Sequence, residues 1–513
     1  MSYSHGEPNR EEQYSPPPSS LDLTDEAMQA LATQTVALVT DYFAQLSDIP
    51  LFQYAIASKF TDRISSELPV EGEPLEQLME DCRALFAASR HTGHPRFLGY
   101  VPNVATPVGA FADLIASALN PNVNTWRGAP AATELEKIVV RWLGSLIGYG
   151  DSANGFLTSG GSISNLNALL MAHRAKSPEK VSEKGLWNAG APMTIYASDR
   201  VHFSIPKAAD ILGIGRDRVR LVKSDTKFRL DISHLRQCIE TDLSNGLRPF
   251  CIVGNAGTTE TGAVDPLAEI AQVSEEYNLW FHVDGAYGTL AGLDPRKRPL
   301  FDGIERADSI AINAHKWLYT PIDCGCLLFR DAEIRSALSF AIGDYVRLHE
   351  ETETETFAFC DYSIELSRRF RAFKLWMLLR YYGVQRIRAA IIENNNLADY
   401  FAECVSAAED FELLTPVVLS ICCFRYVPPS ECARLLKSVS QEEREQINAE
   451  LDRLNARILY AVQRDGKAYL SNTNICGLYA LRACMVNFRT TCADIDAVLD
   501  IVRDTARSLE TNQ

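Results

Sequence analysis

A single lysine, Lys316, stands in the stretch SIAINAHKWLYTPIDCGCLLF (309–329), between two apolar runs that have the character of buried strands. Lysine is rarely buried unless it has a partner or a chemical task. In one interpretation the side chain reaches solvent or pairs with a neighbouring acid. In the other, a water-poor environment lowers the pKa of the amine, which then forms a Schiff base with a carbonyl group.

A Ser/Gly-rich turn lies in LTSGGSISNLNALLMAHR (157–174) and leads into a predicted helix. Gly160 and Gly161 allow the backbone to approach an anion closely, and Ser162 and Ser164 offer hydroxyl groups. The helix N-terminus adds free N–H groups and the positive end of the helix dipole. The combination is typical of a phosphate site, although a serine N-cap after a glycine turn is also common without a ligand.

An acid and a histidine follow two other predicted strands. Asp284, in HVDGAYG (282–288), is flanked by the small residues Gly285 and Ala286, beside which a flat ring can pack. His202, in SDRVHF (198–203), follows the predicted strand 193–199. Each residue alone has a structural explanation, as a cap or as a satisfied structural histidine. With the phosphate turn and the lysine, they fit one cofactor, pyridoxal 5′-phosphate (PLP), which needs all four groups.

The elements that must position these residues alternate between strands and helices from about residue 155 onward. Near-continuous apolar strands separated by helices indicate a mostly parallel sheet covered on both faces. Ligands of such sheets bind beyond the carboxyl ends of the strands. The predicted strands are 193–199, 218–224, 249–257, 279–288, 309–315 and 324–330, and the predicted helices between them are 162–176, 203–213, 231–242 and 264–277.

The bulk properties of the chain narrow the class of protein. The 513 residues predict two or three domains, and 46% of them are hydrophobic. A formal net charge of −16 argues against nucleic acid or an anionic membrane as a partner. There is no apolar run long enough to span a membrane and no apolar secretory segment. The 13 cysteines have no metal-binding spacing, so we expect no metal site and reduced thiols in a cytoplasmic protein.

The motifs together resemble those of the group II PLP-dependent amino-acid decarboxylases, the family of aromatic-L-amino-acid, tyrosine, tryptophan and glutamate decarboxylases. The similarity covers roughly residues 25–505. The resemblance implies an α/β fold of the fold-type I PLP-dependent transferase kind, with a mostly parallel seven-stranded sheet and helices on both faces. The matching segments are HPRFLGY (94–100), PAATELE (130–136), TSGGSISN (158–165), HVDGAYG (282–288), NAHKW (313–317) and LSRRFRAFKLW (366–376).

The resemblance also implies a division of the chain and a mode of assembly. We expect a homodimer with shared active sites, because the family works in that form. The predicted regions are a disordered tail at 1–20, an N-terminal helical dimerisation segment at 21–107, a large PLP-binding domain at 108–340, and a small C-terminal α+β domain at 341–513 with a mobile catalytic loop at about 344–360.

Site residues follow from the same resemblance, position by position. Lys316 matches the Schiff-base lysine, Asp284 the acid on the pyridine nitrogen and His202 the stacking histidine. In the aromatic branch a loop tyrosine returns the proton to Cα, and the matching residue is Tyr345, with Tyr362 as the alternative. The implied cofactor-binding residues are Gly161, Ser162, His202, Thr259, Asp284, Ala286, Asn313, His315 and Lys316.

The implied reaction is decarboxylation of an L-amino acid to its amine and CO₂ through the Lys316 Schiff base. An aromatic substrate of the tyrosine, DOPA or tryptophan type is favoured. Tyr100 and Pro102, in YVPN, resemble pocket residues of the aromatic branch. Ser367 stands where related tyrosine decarboxylases carry serine, whose hydroxyl can bond a phenol.

Three alternatives remain open. Asn122 and Asn124 stand where apolar pocket residues are expected, and Arg127 adds a charge. These residues would suit an acidic or diamino acid such as glutamate, aspartate or 2,4-diaminobutyrate. An aldehyde synthase is the second alternative, although plant relatives with that activity have lost the loop tyrosine. The third is a non-catalytic PLP-binding protein, which the presence of both the lysine and the acid disfavours.

Overall fold

A computed structural model of the chain describes residues 21–57, 59–60, 68–177, 181–186, 190–334 and 356–511. The chain divides into two compact units. The first falls within Met1–Ile49 and Gln53–Ser89, and the second comprises Pro50–Phe52 and Arg90–Gln513. None of the described helices has the length and apolar character needed to cross a membrane.

The described part of the first unit is helical. Helix α1 begins after Thr24, whose side chain accepts a hydrogen bond from the Ala27 N–H at 3.2 Å. The rings of Tyr42 and Phe86 meet edge-on at 5.0 Å. Helix α1 buries none of its residues fully, and three of its large apolar side chains, those of Met28, Leu31 and Val36, are exposed within the chain. The helices are α1 (Asp25–Gln45), α2 (Tyr54–Ala57) and α3 (Leu75–Ala88).

The second unit is built on a seven-stranded sheet of strand order β1-β7-β6-β5-β4-β2-β3. Strand β7 runs antiparallel to both of its neighbours, and the remaining pairs are parallel. Every residue of β5, β6 and β7 is buried, which explains why their sequences are largely apolar. The strands are β1 (Asn154–Thr158), β2 (Met193–Ser198), β3 (Val219–Val222), β4 (Arg248–Asn255), β5 (Trp280–Asp284), β6 (Ser309–Asn313) and β7 (Gly325–Phe329).

Helices connect and cover these strands. Proline occupies the first turn of α4 and of α5, where its missing N–H has no consequence. Asp231 caps α9 by accepting a hydrogen bond from the His234 N–H at 2.9 Å. The helices are α4 (Pro107–Leu119), α5 (Pro130–Ile147), α6 (Gly161–Lys176), α7 (Val181–Lys184), α8 (Ser204–Ile211), α9 (Ile232–Ser244), α10 (Leu267–Glu276) and α11 (Ala314–Trp317).

The C-terminal part contains a second, four-stranded antiparallel sheet of order β10-β11-β9-β8. A long helix, α12 (Arg371–Ala407), precedes it and is interrupted at Gly383, whose φ of 71° and ψ of 157° are not helical. These elements confirm the predicted fold class. The remaining elements are β8 (Phe411–Leu413), β9 (Ile421–Tyr426), α13 (Pro429–Lys437), α14 (Gln441–Asp465), β10 (Ser471–Ile475), β11 (Leu478–Cys484) and α15 (Cys492–Thr511).

A buried ion pair joins the segment before α12 to the large sheet. The side chains of Arg368 and Glu136 are both fully buried and bond each other. The Arg368 guanidinium also donates to the carbonyl oxygens of Val123 at 2.6 Å and Leu157 at 2.8 Å. Glu136 accepts from the Leu157 N–H at 2.8 Å. The pair therefore links the segment before α12 to α5, to the loop that contains Val123 and to strand β1.

Candidate active site

The described pocket that holds the predicted cofactor residues opens at the carboxyl edge of the parallel strands. Asp284 is the last residue of β5 and Asn313 the last of β6, while Lys316 lies on the short helix α11 directly beyond β6. Adjacent parallel strands end at the same edge, so these side chains meet. The pocket is lined by Gly161, Ser162, Asn165, His202, Ser204, Asn255, Gly257, Thr258, Thr259, Asp284, Ala286, Tyr287, Asn313 and Lys316.

The Lys316 amine has no hydrogen-bond or ion-pair partner among the residues that the structure describes. Burial lowers the pKa of this amine, and the nearby carboxylate of Asp284 opposes the change only in part. A lysine with a lowered pKa spends more time as the neutral amine, which is the form that attacks a carbonyl carbon.

The Asp284 carboxylate is buried and held by two donors. Its Oδ2 accepts a hydrogen bond from Asn165 Nδ2 at 2.9 Å, and its Oδ1 accepts from the Ala286 N–H at 3.3 Å. Two donors orient the carboxylate. A carboxylate held in a fixed orientation is the group that a protonated ring nitrogen requires.

The imidazole of His202 also lines the pocket. Its Nδ1 lies 2.7 Å from Ser204 Oγ and accepts a hydrogen bond from the Ser204 backbone N–H at 3.2 Å. Burial lowers the pKa of His202, so the ring is neutral near pH 7. A neutral ring whose Nδ1 accepts carries its proton on Nε2.

The turn before α6 forms a tight cradle at the pocket. A Cβ atom added at Gly161 would lie 3.2 Å from Ala286 Cβ and 3.2 Å from Asn313 Nδ2. Asn313 Oδ1 is buried and has no hydrogen-bond partner among the described residues, so this amide has capacity left for a ligand. The N-terminus of a 16-residue helix faces the same space. A helix N-terminus, a free amide, a held carboxylate, a neutral ring and an unpaired amine fit the groups of PLP.

Two other predicted cofactor residues differ in their placement. Thr259 lies in the pocket lining, in the loop that follows β4. His315 lies beside the lining and not in it, because its Nδ1 accepts a hydrogen bond from the Cys324 N–H at 3.1 Å. Its Cε1 atom would be 3.5 Å from a Cβ at Gly160, so its ring supports the glycine turn.

The predicted substrate residues do not line this pocket. Tyr100 adopts a left-handed backbone with a φ of 55°, is 60% exposed, and joins Tyr469 through their hydroxyls at 2.9 Å. Pro102 is buried, and Ser367 is exposed.

One of the two asparagines that suggested a polar substrate has a structural side-chain partner, since Asn122 Oδ1 accepts a hydrogen bond from the Arg368 N–H at 2.9 Å. For Asn124 the bond is made by the backbone, whose carbonyl oxygen accepts from the Cys360 N–H at 3.3 Å. Tyr345 lies outside the described residues. Tyr362 is buried, with its ring 5.4 Å from that of Phe329.

One residue beside the pocket was missed by the sequence analysis. Arg482, on β11, donates from Nε to the Glu260 carbonyl oxygen at 3.2 Å and from Nη1 to Ser471 Oγ at 3.2 Å and to the Tyr100 carbonyl oxygen. Its Nη2 is buried without a partner among the described residues. The signal was available, since Arg482 is a lone cation inside the apolar run LYALRAC, as Lys316 is in its own run.

The sequence of this chain matches known proteins along most of its length. The family model described as pyridoxal-dependent decarboxylase conserved domain matches residues 58–427. The aromatic-L-amino-acid decarboxylase of Bacillus atrophaeus is 34% identical, with 92% of this chain and 94% of that protein covered. The phenylacetaldehyde synthase of Petunia hybrida is 32% identical, with 92% of both proteins covered.

A solved structure agrees with the sequence matches. The structure of Oryza sativa TDC with PLP and tryptamine matches with a TM-score of 0.85 at 26% identity, covering 96% of this chain and all of that one. Fold, pocket and matches together define a PLP-dependent enzyme that acts on amino acids. The chain belongs to the pyridoxal-dependent decarboxylase family, which confirms the resemblance found in its motifs.

Proposed function

We propose that this decarboxylase acts on an aromatic L-amino acid of the tyrosine, DOPA or tryptophan type and releases the corresponding amine and CO₂. The observation that carries the proposal is the single pocket lined by Lys316, Asp284 and His202. The aromatic substrate class is supported by the similarity to the Bacillus atrophaeus enzyme, which extends over 92% of this chain.

Bound PLP supplies an electron sink for the electron pair that is left when the Cα–carboxylate bond breaks. Lys316 would hold the cofactor through its amine. Asp284 would hold a proton on the ring nitrogen, and His202 would pack beside the ring. Exclusion of water around these groups strengthens each electrostatic contact.

The remaining predicted residues complete the site in this proposal. Gly161, Ser162 and Asn313 hold the phosphate at the N-terminus of α6. The unpartnered Nη2 of Arg482 offers positive charge for the carboxylate of an amino acid. Tyr345 returns a proton to Cα, so that the product is an amine.

The second candidate is an aldehyde synthase, which the similarity to the Petunia hybrida enzyme favours. That reaction consumes one O₂ and one water for each amino acid and yields the aldehyde, CO₂, ammonia and H₂O₂. The predicted loop tyrosine argues for the amine product, because loss of that tyrosine accompanies synthase activity in plant relatives.

We further propose a cytoplasmic homodimer whose two subunits share their active sites, with the domain boundaries and the catalytic loop as predicted. All 13 cysteines are free thiols, which is consistent with a reducing compartment. The exposed apolar residues of α1 are consistent with an interface to a second copy.

The test is a panel of amino acids offered to the PLP-loaded enzyme: tyrosine, DOPA, tryptophan, phenylalanine, glutamate, aspartate and 2,4-diaminobutyrate. Amine, aldehyde, ammonia and H₂O₂ are quantified together, with the Lys316→Ala variant as the control. We expect an amine from an aromatic substrate. Turnover of only the acidic or diamino substrates would contradict the substrate class, and aldehyde with equimolar H₂O₂ would establish the synthase.

A further inference from the structure

A buried amide, that of Asn165, connects the groups on two sides of the pocket. Asn165 lies on α6 and is 1% exposed. Its Nδ2 donates to Asp284 Oδ2 at 2.9 Å and to Ser204 Oγ at 2.9 Å. Its Oδ1 lies 3.0 Å from His282 Nε2. One side chain therefore contacts the acid of the pocket and the serine that bonds the pocket histidine.

The orientation of this amide is fixed from the strand side. The Trp280 Nε1–H can only donate, and it bonds Ser309 Oγ at 2.9 Å. The Ser309 hydroxyl proton is then directed to His282 Nδ1, 2.9 Å away. Burial lowers the pKa of His282 to about 4, so its ring is neutral and its proton lies on Nε2. That N–H donates to Asn165 Oδ1.

The opposite orientation of the Asn165 amide, with its nitrogen toward His282, is excluded by the contact between the amide and Asp284. His282 would then donate from Nδ1 to the Ser309 carbonyl oxygen, 3.2 Å away, and Asn165 would turn its nitrogen toward His282. The Asn165 oxygen would face the Asp284 carboxylate oxygen at 2.9 Å. Two acceptors at that distance repel each other, so only the first arrangement satisfies every group.

The donor-to-acceptor direction of these hydrogen bonds also fixes the bond to His202 in the pocket. Ser204 Oγ accepts from Asn165 and therefore donates its own proton to His202 Nδ1 at 2.7 Å. The Ser204 backbone N–H donates to the same nitrogen, which agrees with this direction. The His202 ring is thus held by a chain of donors that begins at Trp280 and passes through Asn165.

We propose that Asn165 is a positioning residue for the cofactor: its amide holds the Asp284 carboxylate and, through Ser204, the His202 ring, as one unit. The inference rests on the PLP site of the proposed function. The inference goes beyond that site, because Asn165 acts through Asp284, Ser204 and His202. Asn165 is itself oriented by His282 on β5, which is in turn oriented by Ser309 on β6.

The test compares two buried asparagines on the same helix. Asn167 is also 1% exposed, and its amide bonds the Ile163 carbonyl oxygen at 2.8 Å and the Ile364 N–H at 3.1 Å, away from the pocket. PLP is titrated into cofactor-free full-length protein and followed by its visible absorbance. We expect Asn165→Ala to weaken PLP binding about tenfold to hundredfold and Asn167→Ala to change it less than about twofold.

A second variant separates the donor role from the space that the side chain fills. Asn165→Asp keeps the size of the side chain but cannot donate to Asp284, so it should lose at least as much PLP affinity as Asn165→Ala. Far-ultraviolet circular dichroism of each variant checks that it is folded. PLP binding at the wild-type level by either Asn165 variant would overturn the proposal.

A double-mutant cycle shows whether Asn165 acts through Asp284. In an Asp284→Asn background, Asn165→Ala should weaken PLP binding much less than it does in the wild type. If the two substitutions weaken PLP binding by factors that simply multiply, this would contradict the proposal that Asn165 acts through Asp284. The readout requires no substrate: a protein that binds PLP without decarboxylating any amino acid would contradict the proposed function alone, and a wild type that binds no PLP would overturn both.

Discussion

Lys316 and Lys374 are two lysines set into the interior, and their surroundings differ in one respect. The Lys374 amine is 1% exposed and bonds Asp113 Oδ2 at 2.9 Å and the Pro321 carbonyl oxygen at 3.1 Å. The Lys316 amine has no such bond among the described residues. The structural explanation of a buried lysine therefore applies to Lys374, and the chemical explanation applies to Lys316.

The two lysines make a matched pair for mutation. Lys316→Ala should abolish the visible absorbance of the bound cofactor and lower amine formation by several orders of magnitude, because it removes the nucleophile. Lys374→Ala should keep the absorbance while lowering the free energy of unfolding, because it removes the 2.9 Å pair with Asp113 and leaves that carboxylate only the 4.0 Å contact with Arg369. A retained visible band in Lys316→Ala would contradict the assignment of this lysine.

The two candidate loop tyrosines can be distinguished in the same assay. Tyr345→Phe should lower amine formation about 10²- to 10⁴-fold and raise the share of aldehyde, because it removes the predicted proton donor. Tyr362→Phe should have an effect within a few fold, since the Tyr362 ring packs against Phe329 and Phe357. The reverse order of effects would show that Tyr362 is the donor.

The sequence predicted those site residues that carry a chemical signal in their own neighbourhood. Lys316 and Asp284 each stand out because a charged group follows an apolar strand. Asn165 gives no such signal, since an asparagine in a helix is common and its partners Ser204 and Asp284 are 39 and 119 residues away. Its importance depends on side-chain orientation, which no local pattern contains.

At the scale of elements, the ion pair of Glu136 with Arg368 is the feature with the largest expected effect on stability. Glu136→Ala leaves a guanidinium buried without its counter-charge and should lower the free energy of unfolding by about 3–5 kcal/mol. Arg216→Ala is the control, because it breaks the exposed pair with Asp210 and should cost at most about 1 kcal/mol. Urea unfolding of the PLP-loaded enzyme measures both, and equal small losses would contradict the prediction.

The order of the elements was predictable, whereas part of their pairing was not. Strands β2 to β7 were predicted close to their observed positions, because most of them are buried on both faces and largely apolar. Strand β1 was not predicted, since NGFLT is short and begins with polar residues. Its antiparallel pairing with β7 joins Thr158 to Gly325, a contact between distant segments that neither sequence indicates alone.

At the scale of the whole molecule, four buried histidines make stability depend on pH. Burial lowers the pKa of each from 6.5 to about 4. The unfolded chain takes up these protons as the pH falls below 6.5, and the folded chain does not, so folding loses stability between pH 6.5 and 4. Each group contributes about 3 kcal/mol at full effect. The four are His94, His173, His282 and His315.

Two buried carboxyl groups act in the opposite sense, because burial raises the pKa of Asp308 and raises that of Asp265 to about 6. The stability that Asp265 contributes falls as the pH rises from 3.8 to 6. The four histidines still predict a steep loss of unfolding free energy from pH 7.5 to pH 5, measured by urea unfolding. His173→Gln should reduce that loss, because it removes one of the four groups. A pH-independent unfolding free energy would contradict the prediction.

The proposed homodimer has a direct test at this scale. One chain has a mass of 57.0 kDa, so light scattering after size-exclusion chromatography should give twice that value. Charged substitutions at Met28 and Leu31, apolar residues of α1 that are 54% and 40% exposed, should shift the mass toward one chain. A dimer unaffected by both substitutions would place the interface elsewhere.

The position of β1 at the edge of the sheet has a consequence for biosynthesis. Its sheet neighbour is β7, since Asn154 pairs with Phe329. Strand β7 leaves the ribosome about 170 residues after β1. A nascent chain that ends before β7 cannot fix β1 in the sheet, nor the glycine turn that follows it. Cofactor capture during translation therefore waits for β7, so shorter nascent chains are exposed to proteases and chaperones without the protection that a bound ligand provides.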